Sequence, residues 1–292
     1  MVSSKIKLTI ICGPTGVGKS RYAVALATAR GAEIVSADSQ QVYRGCDIGT
    51  GKLRPHEREG IPHHCLDLVE PNDPFTAARY IKAADRAIAE IRARKKEVIV
   101  VGGTGLYLRA LVDGLCEAPA GDPAVRRTLA ALRRREGVEA LYARLLQRDP
   151  VAAQRIHPHH ATRIMRALEV LEISGRSIME WHEAHQGSPP RYETEWIGLT
   201  CERSELYARI NARVERMLAE GLLDEARSLF ERFGEAAPIF RSIGYREALQ
   251  NIKEVLDISR LKSLIQKCTR NLAKRQLAWF GKETRVCWQR GM

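Results

Sequence analysis

Residues 13–20 read Gly13-Pro14-Thr15-Gly16-Val17-Gly18-Lys19-Ser20. This is the complete G-x-x-x-x-G-K-[ST] pattern of a phosphate-binding loop. The apolar run 6–12 (IKLTIIC) precedes it and reads as a short buried strand, ended by Gly and Pro. Residues 19–30 (KSRYAVALATAR) follow as a helix that stops before Gly31. Strand, glycine turn and helix are the context the pattern needs. Glycines let backbone N–H groups converge on phosphate oxygens without a Cβ in the way. The new helix adds the positive end of its dipole. Lys19 can neutralise a terminal phosphate, and the Ser20 hydroxyl can ligate Mg²⁺. The motif implies a diphosphate or triphosphate and leaves open which molecule carries it.

Working outward, 33–37 (EIVSA) reads as a second strand that ends at Asp38. Ala78, Ile81, Ala84, Ile88 and Ile91 recur at helical spacing within 76–95. Residues 97–101 (EVIVV) form a third strand that breaks at Gly102-Gly103, and a helix follows through GLYLRALV. Alternating strands and helices predict an α/β fold: a P-loop NTPase-like parallel sheet with helices on both faces. The pattern changes from about 121. Val125, Leu129 and Leu132 make one helical face; Leu141, Leu145 and Leu146 make another; Ile164, Leu168 and Leu171 make a third. This predicts an all-helical insertion over 121–187, with a core domain of 1–120 and 188–292. Gly187-Ser188-Pro189-Pro190 is a turn or linker. A strand is expected at 195–200, then helices over 204–220, 222–233, 245–252 and 260–281.

The charge is uneven. The chain has 292 residues, with 47 Lys plus Arg against 35 Asp plus Glu, a formal charge of +12. Residues 260–292 hold nine of the cations and one acid, Glu283, so a short C-terminal stretch carries eight of the twelve excess charges. Lys267, Arg270 and Lys274 share one face of a helix whose other face, Leu261, Leu264, Ile265, Cys268 and Leu272, is apolar. A basic stripe on an ordered helix suits a polyanion. Hydrophobic residues at 45% and charged residues at 28% exclude a disordered or collagen-like chain. No run approaches the roughly 18 apolar residues of a membrane span. The opening MVSSKIKLTIICGP lacks the long apolar core of a signal peptide, so a cytoplasmic protein is expected. The seven cysteines are scattered and odd in number, which fits neither a disulfide framework nor a zinc site. His63-His64 and His157, His159 and His160 read as polar turns.

A nucleotide-dependent kinase that binds ATP is the obvious reading of the loop. Such enzymes hold Mg²⁺ or water with an acid at the end of another strand. EVIVV instead runs into Gly102-Gly103-Thr104-Gly105. The acid is Asp38, at the end of the second strand, in Ser36-Ala37-Asp38-Ser39-Gln40-Gln41-Val42-Tyr43. Ligands of open parallel sheets sit at the carboxyl ends of the strands, so Lys19, Asp38 and Thr104 should converge.

These residues resemble the tRNA dimethylallyltransferases. The resemblance rests on GPTGVGKS at 13–20, SADSQQVYRGCDIGTGK at 36–52, PHHCLDL at 62–68 and VGGTGLYLRAL at 101–111. It continues with DPVAAQRIHP at 149–158, RIMRALEV at 163–170, ARINARVERMLAEGLLDE at 208–225, IGYREAL at 243–249 and TRNLAKRQLAWF at 269–280. Gly51 departs from the alanine common in the family before the lysine, and His159-His160 from a more usual Asn-Asp. The resemblance implies that the loop holds the diphosphate of dimethylallyl diphosphate rather than ATP, and that the acceptor is the exocyclic amine of the adenine 3′ to the anticodon. It implies Asp38 as general base, Thr104 near the amine and donor, and Lys19 and Arg213 on the diphosphate, with Mg²⁺ on Ser20. Ser39, Gln40 and Gln41 beside Asp38 are candidate base contacts. Lys274, Arg275 and Gln276 would hold the anticodon stem-loop, and Arg126 and Arg127 with Arg163-Ile164-Met165-Arg166 would form a second clamp. A monomer suffices for all of this. Three alternatives stay open: an ATP-dependent small-molecule kinase, an adenylate-directed prenyltransferase, and an RNA-binding protein with a relict loop.

Overall fold

The structure, a computed structural model, describes residues 5–291. The first four residues of the stretch read above for a leader, and Met292 of the basic C-terminal stretch, lie outside these. The chain divides into two compact units, one running to Gly114 and resuming at Pro190, the other Leu115–Pro189.

The first unit is built on six parallel strands: β1 (Lys7–Cys12), β2 (Glu33–Ser36), β3 (His63–His64), β4 (Val98–Val101), β5 (Glu193–Thr200) and β6 (Val286–Arg290). Their order across the sheet is β3-β2-β4-β1-β5-β6. β1 lies at the centre, with Ile10 in register with Val100 of β4 and Trp196 of β5. Two strands were not foreseen. His63-His64 is no polar turn: it pairs with β2, and His64 Nε2 meets the Glu33 carboxylate at 2.7 Å. β6 (VCWQR) extends the far edge beside β5, with one half-buried residue and four exposed ones, a short edge strand with no apolar alternation to mark it.

The helices of this unit are α1 (Lys19–Arg30), α2 (Ala77–Ala93) and α3 (Gly105–Asp113). In the second unit come α4 (Pro123–Arg148), α5 (Pro150–Arg155), α6 (Ala161–Ser174) and α7 (Ile178–His185). The first unit then resumes with α8 (Arg203–Ala219), α9 (Leu222–Phe233), α10 (Tyr245–Ile252) and α11 (Ile258–Phe280). Alternate strand residues face opposite layers. Leu8, Ile10, Val35, Val98 and Val100 pack with Tyr80, Ile88 and Ile91 of α2 and Leu108 and Leu111 of α3. Ile11, Ile34, Ile99 and Val101 pack with Ala23 and Ala27 of α1, Leu206 and Ile210 of α8 and Ala273 of α11. Both faces of the sheet are covered, which is why its strands read as continuous apolar runs. Full burial of each Leu or Ile contributes roughly 1.5–3 kcal/mol. A further cluster joins α9, α10 and the start of α11 to Val42, Tyr43 and Cys46, so the stretch after β2 rests on helices from the far end of the chain.

The second unit is all-helical. Asp122 caps α4 by accepting from the N–H groups of Ala124 and Val125, with Pro123 in the first turn. The two apolar faces expected here belong to one element, broken at Gly137 (φ 86°). Asp149 accepts from the N–H of Ala152 to cap α5 and from Ser177 Oγ at 2.7 Å, which ties α5 to the start of α7. Leu129, Leu141, Leu145, Ile164 and Leu168 fill the core.

Candidate active site

The phosphate loop turns out of β1 as its pattern requires. Gly13 has φ 139°, and a Cβ there would stand 2.4 Å from the Leu199 carbonyl oxygen of the neighbouring strand. Only glycine fits so close to β5. Gly18 opens α1 and no side chain caps the helix, so its first amides face outward from the loop. Lys19 folds back across the loop, its Nζ donating to the Pro14 carbonyl at 2.8 Å. Burial lowers its pKa to about 8; the charge of Arg213 pushes the same way and that of Asp38 opposes it. Burial holds the neighbouring Cys12 as a neutral thiol, its pKa raised to about 12.

Asp38 follows β2. Its Oδ1 accepts from the Gln40 N–H at 2.9 Å, a local turn that fixes the carboxylate. Thr104 follows β4 and is stitched to the same turn. Its N–H donates to the Ala37 carbonyl at 3.2 Å, and its hydroxyl accepts from the Ser39 N–H at 3.0 Å and donates to Ser39 Oγ at 3.3 Å. Arg213 reaches in from α8. Its guanidinium donates to the Thr50 carbonyl at 3.2 Å, and burial lowers its pKa while Asp38 raises it. A guanidinium stays charged even so. It rests on Gly51, where a Cβ would meet it at 1.9 Å. Lys19, Asp38, Thr104 and Arg213 are thereby gathered at the carboxyl ends of β1, β2 and β4, two cations around one carboxylate.

The structure gives several residues assigned from the sequence partners within the protein. Gln276 is engaged inside this site: its Oε1 accepts from the Thr15 N–H at 2.8 Å, and its Nε2 donates to the Gly103 carbonyl at 2.9 Å. A carboxamide carries both a donor and an acceptor, so it can clasp two loops at once. Gln41 also turns inward, accepting from Ser36 Oγ at 3.2 Å and lying 3.5 Å from the Thr50 and Gly51 carbonyls. Ile164 is fully buried in the helical unit and contributes packing, not contact. Arg126 and Arg166 both pair with the buried carboxylate of Glu169, which offsets one of their two charges. Arg127, Arg163, Lys274 and Arg275 are exposed; Ser39, Gln40 and Met165 are half-buried. Two anchors of the 46–52 loop, Lys52 and Glu225, were given no role from the sequence. The segment DIGTGK marked the loop, but nothing in it names its distant partner at 225.

Fold and site together define an α/β protein whose glycine-rich phosphate-loop sequence turns out of the central strand beside a carboxylate. The IPP transferase family model matches residues 41–283. A tRNA dimethylallyltransferase of Anaeromyxobacter dehalogenans is 49% identical over 97% of this chain and 94% of its own length. One from Geobacter metallireducens is 46% identical over 97% and 92%. The crystal structure of the tRNA isopentenylpyrophosphate transferase of Bacillus halodurans superposes with a TM-score of 0.73 at 38% identity, covering 98% of this chain and 90% of that one. A eukaryotic dimethylallyltransferase acting on tRNA gives 0.83 at 28% identity, covering 98% and 74%. The chain belongs to the tRNA dimethylallyltransferase family.

Proposed function

We propose that the enzyme transfers the dimethylallyl group of dimethylallyl diphosphate to N6 of the adenine 3′-adjacent to the anticodon, releasing diphosphate. The observation that carries this reading is the convergence of two half-buried cations, Lys19 and Arg213, within electrostatic reach of the Asp38 carboxylate. The C1–O bond of the donor breaks and its electron pair leaves on the diphosphate. Lys19, Arg213 and the loop amides stabilise that charge as it develops. The N6 lone pair forms the new N–C1 bond, and the proton N6 loses passes to Asp38. Thr104, hydrogen-bonded into the Asp38 turn, would meet the arriving amine. Ser20 fits Mg²⁺: a hard hydroxyl oxygen at the helix start, beside the phosphates that would supply further oxygens. The metal would add positive charge against the leaving diphosphate.

The acceptor must leave its stack to reach this site, as for other enzymes that act on a base. Exposed Lys274 and Arg275 of α11, with Arg127 and Arg163 of the helical unit, would hold the anticodon stem-loop by its phosphates. The reading is of a cytoplasmic monomer. A kinase reading is not favoured, since β4 ends in Gly102-Gly103-Thr104 without an acid and the relatives are prenyltransferases.

Incubation of the protein with unmodified tRNA and labelled dimethylallyl diphosphate tests the proposal. Label enters the RNA, and free AMP does not compete. Label in AMP, or transfer of a γ-phosphate from ATP with none to RNA, would reject it. Neutralising Lys274 and Arg275 together should make the slope of log binding constant against log salt shallower by roughly 1.4–1.8; an unaltered slope in binding titrations removes them from the interface.

Lys19 gives a pH dependence with a definite sign. A bound diphosphate favours the ammonium, so the complex keeps a proton that the free enzyme loses above its pKa of about 8. Affinity for an unreactive allylic diphosphate analogue is therefore flat from about pH 7 to 8, where the ligand is already ionised. Above about 8 it falls, approaching tenfold per pH unit. Calorimetric titration showing no fall by about pH 9.5 would contradict a direct Lys19–diphosphate contact.

A further inference from the structure

Arg213 owes its place to the loop it rests on, and that loop is held by a residue with no part in the chemistry. The Glu225 carboxylate, in the first turn of α9, accepts four hydrogen bonds. Oε2 takes the N–H groups of Asp47 and Ile48, both at 2.9 Å; Oε1 takes the Gly49 N–H at 3.0 Å and the Tyr245 hydroxyl at 2.5 Å. Burial pushes the Tyr245 phenol far above its ordinary range, so it remains a donor. The next residue, Thr50, is buried, and its carbonyl receives the Arg213 guanidinium. A second anchor closes the loop: buried Lys52 donates to the Tyr43 carbonyl at 2.6 Å and pairs with Asp47 and Asp67 at 2.8 and 2.5 Å. Three consecutive amides on one carboxylate fix the backbone more tightly than one contact could.

We propose that Glu225 is the positioning residue for Arg213, acting through the 47–51 loop to hold the guanidinium where the leaving diphosphate meets it. This rests on the role given to Arg213 above. The chemistry of the acceptor makes the claim specific. A carboxylate satisfies four donors at once, whereas the amide of a glutamine has one acceptor oxygen and one NH₂. In Glu225→Gln that NH₂ would face donors, so at least one loop amide loses its partner.

A double-mutant cycle tests the coupling. Donor kcat/KM at saturating tRNA is measured for Glu225→Gln, Arg213→Ala and the double variant, with tRNA affinity beside it. Glu225→Gln alone should lower kcat/KM for the donor by about tenfold and leave tRNA affinity within about twofold. Arg213→Ala should lower it about a hundredfold, and adding Glu225→Gln should then cost no more than a further twofold. Losses that multiply, about a thousandfold in the double variant, would overturn the proposal, because the glutamate would then act independently of the arginine. If Arg213→Ala alone keeps wild-type kinetics, the assignment of Arg213 to the diphosphate fails instead, and the two failures are told apart. Tyr245→Phe removes one donor from the same carboxylate and leaves the amides. Should Glu225→Gln not fold, this variant runs the same cycle, with about a threefold loss expected alone and none beyond Arg213→Ala.

Discussion

Asp38→Ala should lower prenyl transfer by ~10²-fold or more while tRNA binds as before. The adenine amine is a poor nucleophile, its lone pair delocalised into the ring, and needs a proton acceptor as it attacks. Asp38 is the carboxylate whose charge reaches both Lys19 and Arg213, and its orientation is set by the Gln40 amide. Removing it leaves the basic surface of α11 untouched, so kcat falls and the RNA dissociation constant stays. Asp38→Asn separates proton acceptance from shape, since it keeps the size and the acceptor oxygen for Gln40 and loses the basicity. Single-turnover assays should find both variants slow by similar factors. An asparagine variant that turns over near the wild-type rate would remove Asp38 from proton transfer.

Lys19→Met should cost a comparable amount, about 10²–10³-fold in kcat, on the scale of losing one preorganised charge contact in a shielded site. Methionine keeps the length and apolar stem of the side chain and removes the ammonium that crosses to Pro14. It also removes the charge whose desolvation brings the pKa to about 8, so loop and fold should be retained. The loss should be larger in kcat than in donor KM, because charge on the diphosphate grows as the C1–O bond breaks. The pH dependence of analogue binding above about 8 should vanish in the same variant. A rise in KM with kcat unchanged would make Lys19 a ground-state anchor only.

The phosphate loop, β1, β2, β4 and β5 were legible because each is local: a fixed spacing, an apolar run, a glycine break. Asp38 and Thr104 were legible because they stand at strand ends, where parallel sheets gather their ligand-binding residues. What the sequence hid was held by contacts with no period. Gln276 closes on Thr15 across 261 residues, and Glu225 on Asp47 across 178. Neither pairing leaves a trace in spacing or hydrophobic pattern. Gln276 follows Lys274 and Arg275 in a segment whose resemblance implied RNA contact, and nothing in it pointed to a structural clasp. Arg126 and Arg166 show the same limit: their positive charge was visible, but the buried carboxylate of Glu169 that both of them meet was not. β3, two residues long, and β6, whose apolar residues Val286, Cys287 and Trp288 are consecutive, give no alternation to declare them.

The most direct measurement is the structure of the enzyme bound to an unreactive allylic diphosphate and an anticodon stem-loop. The Asp38 carboxylate should lie about 2.6–3.2 Å from N6 of an everted adenine, with Lys19 and Arg213 on the diphosphate and C1 between them. A diphosphate bound away from Lys19, or an adenine still stacked in its loop with Asp38 turned from it, would contradict the account.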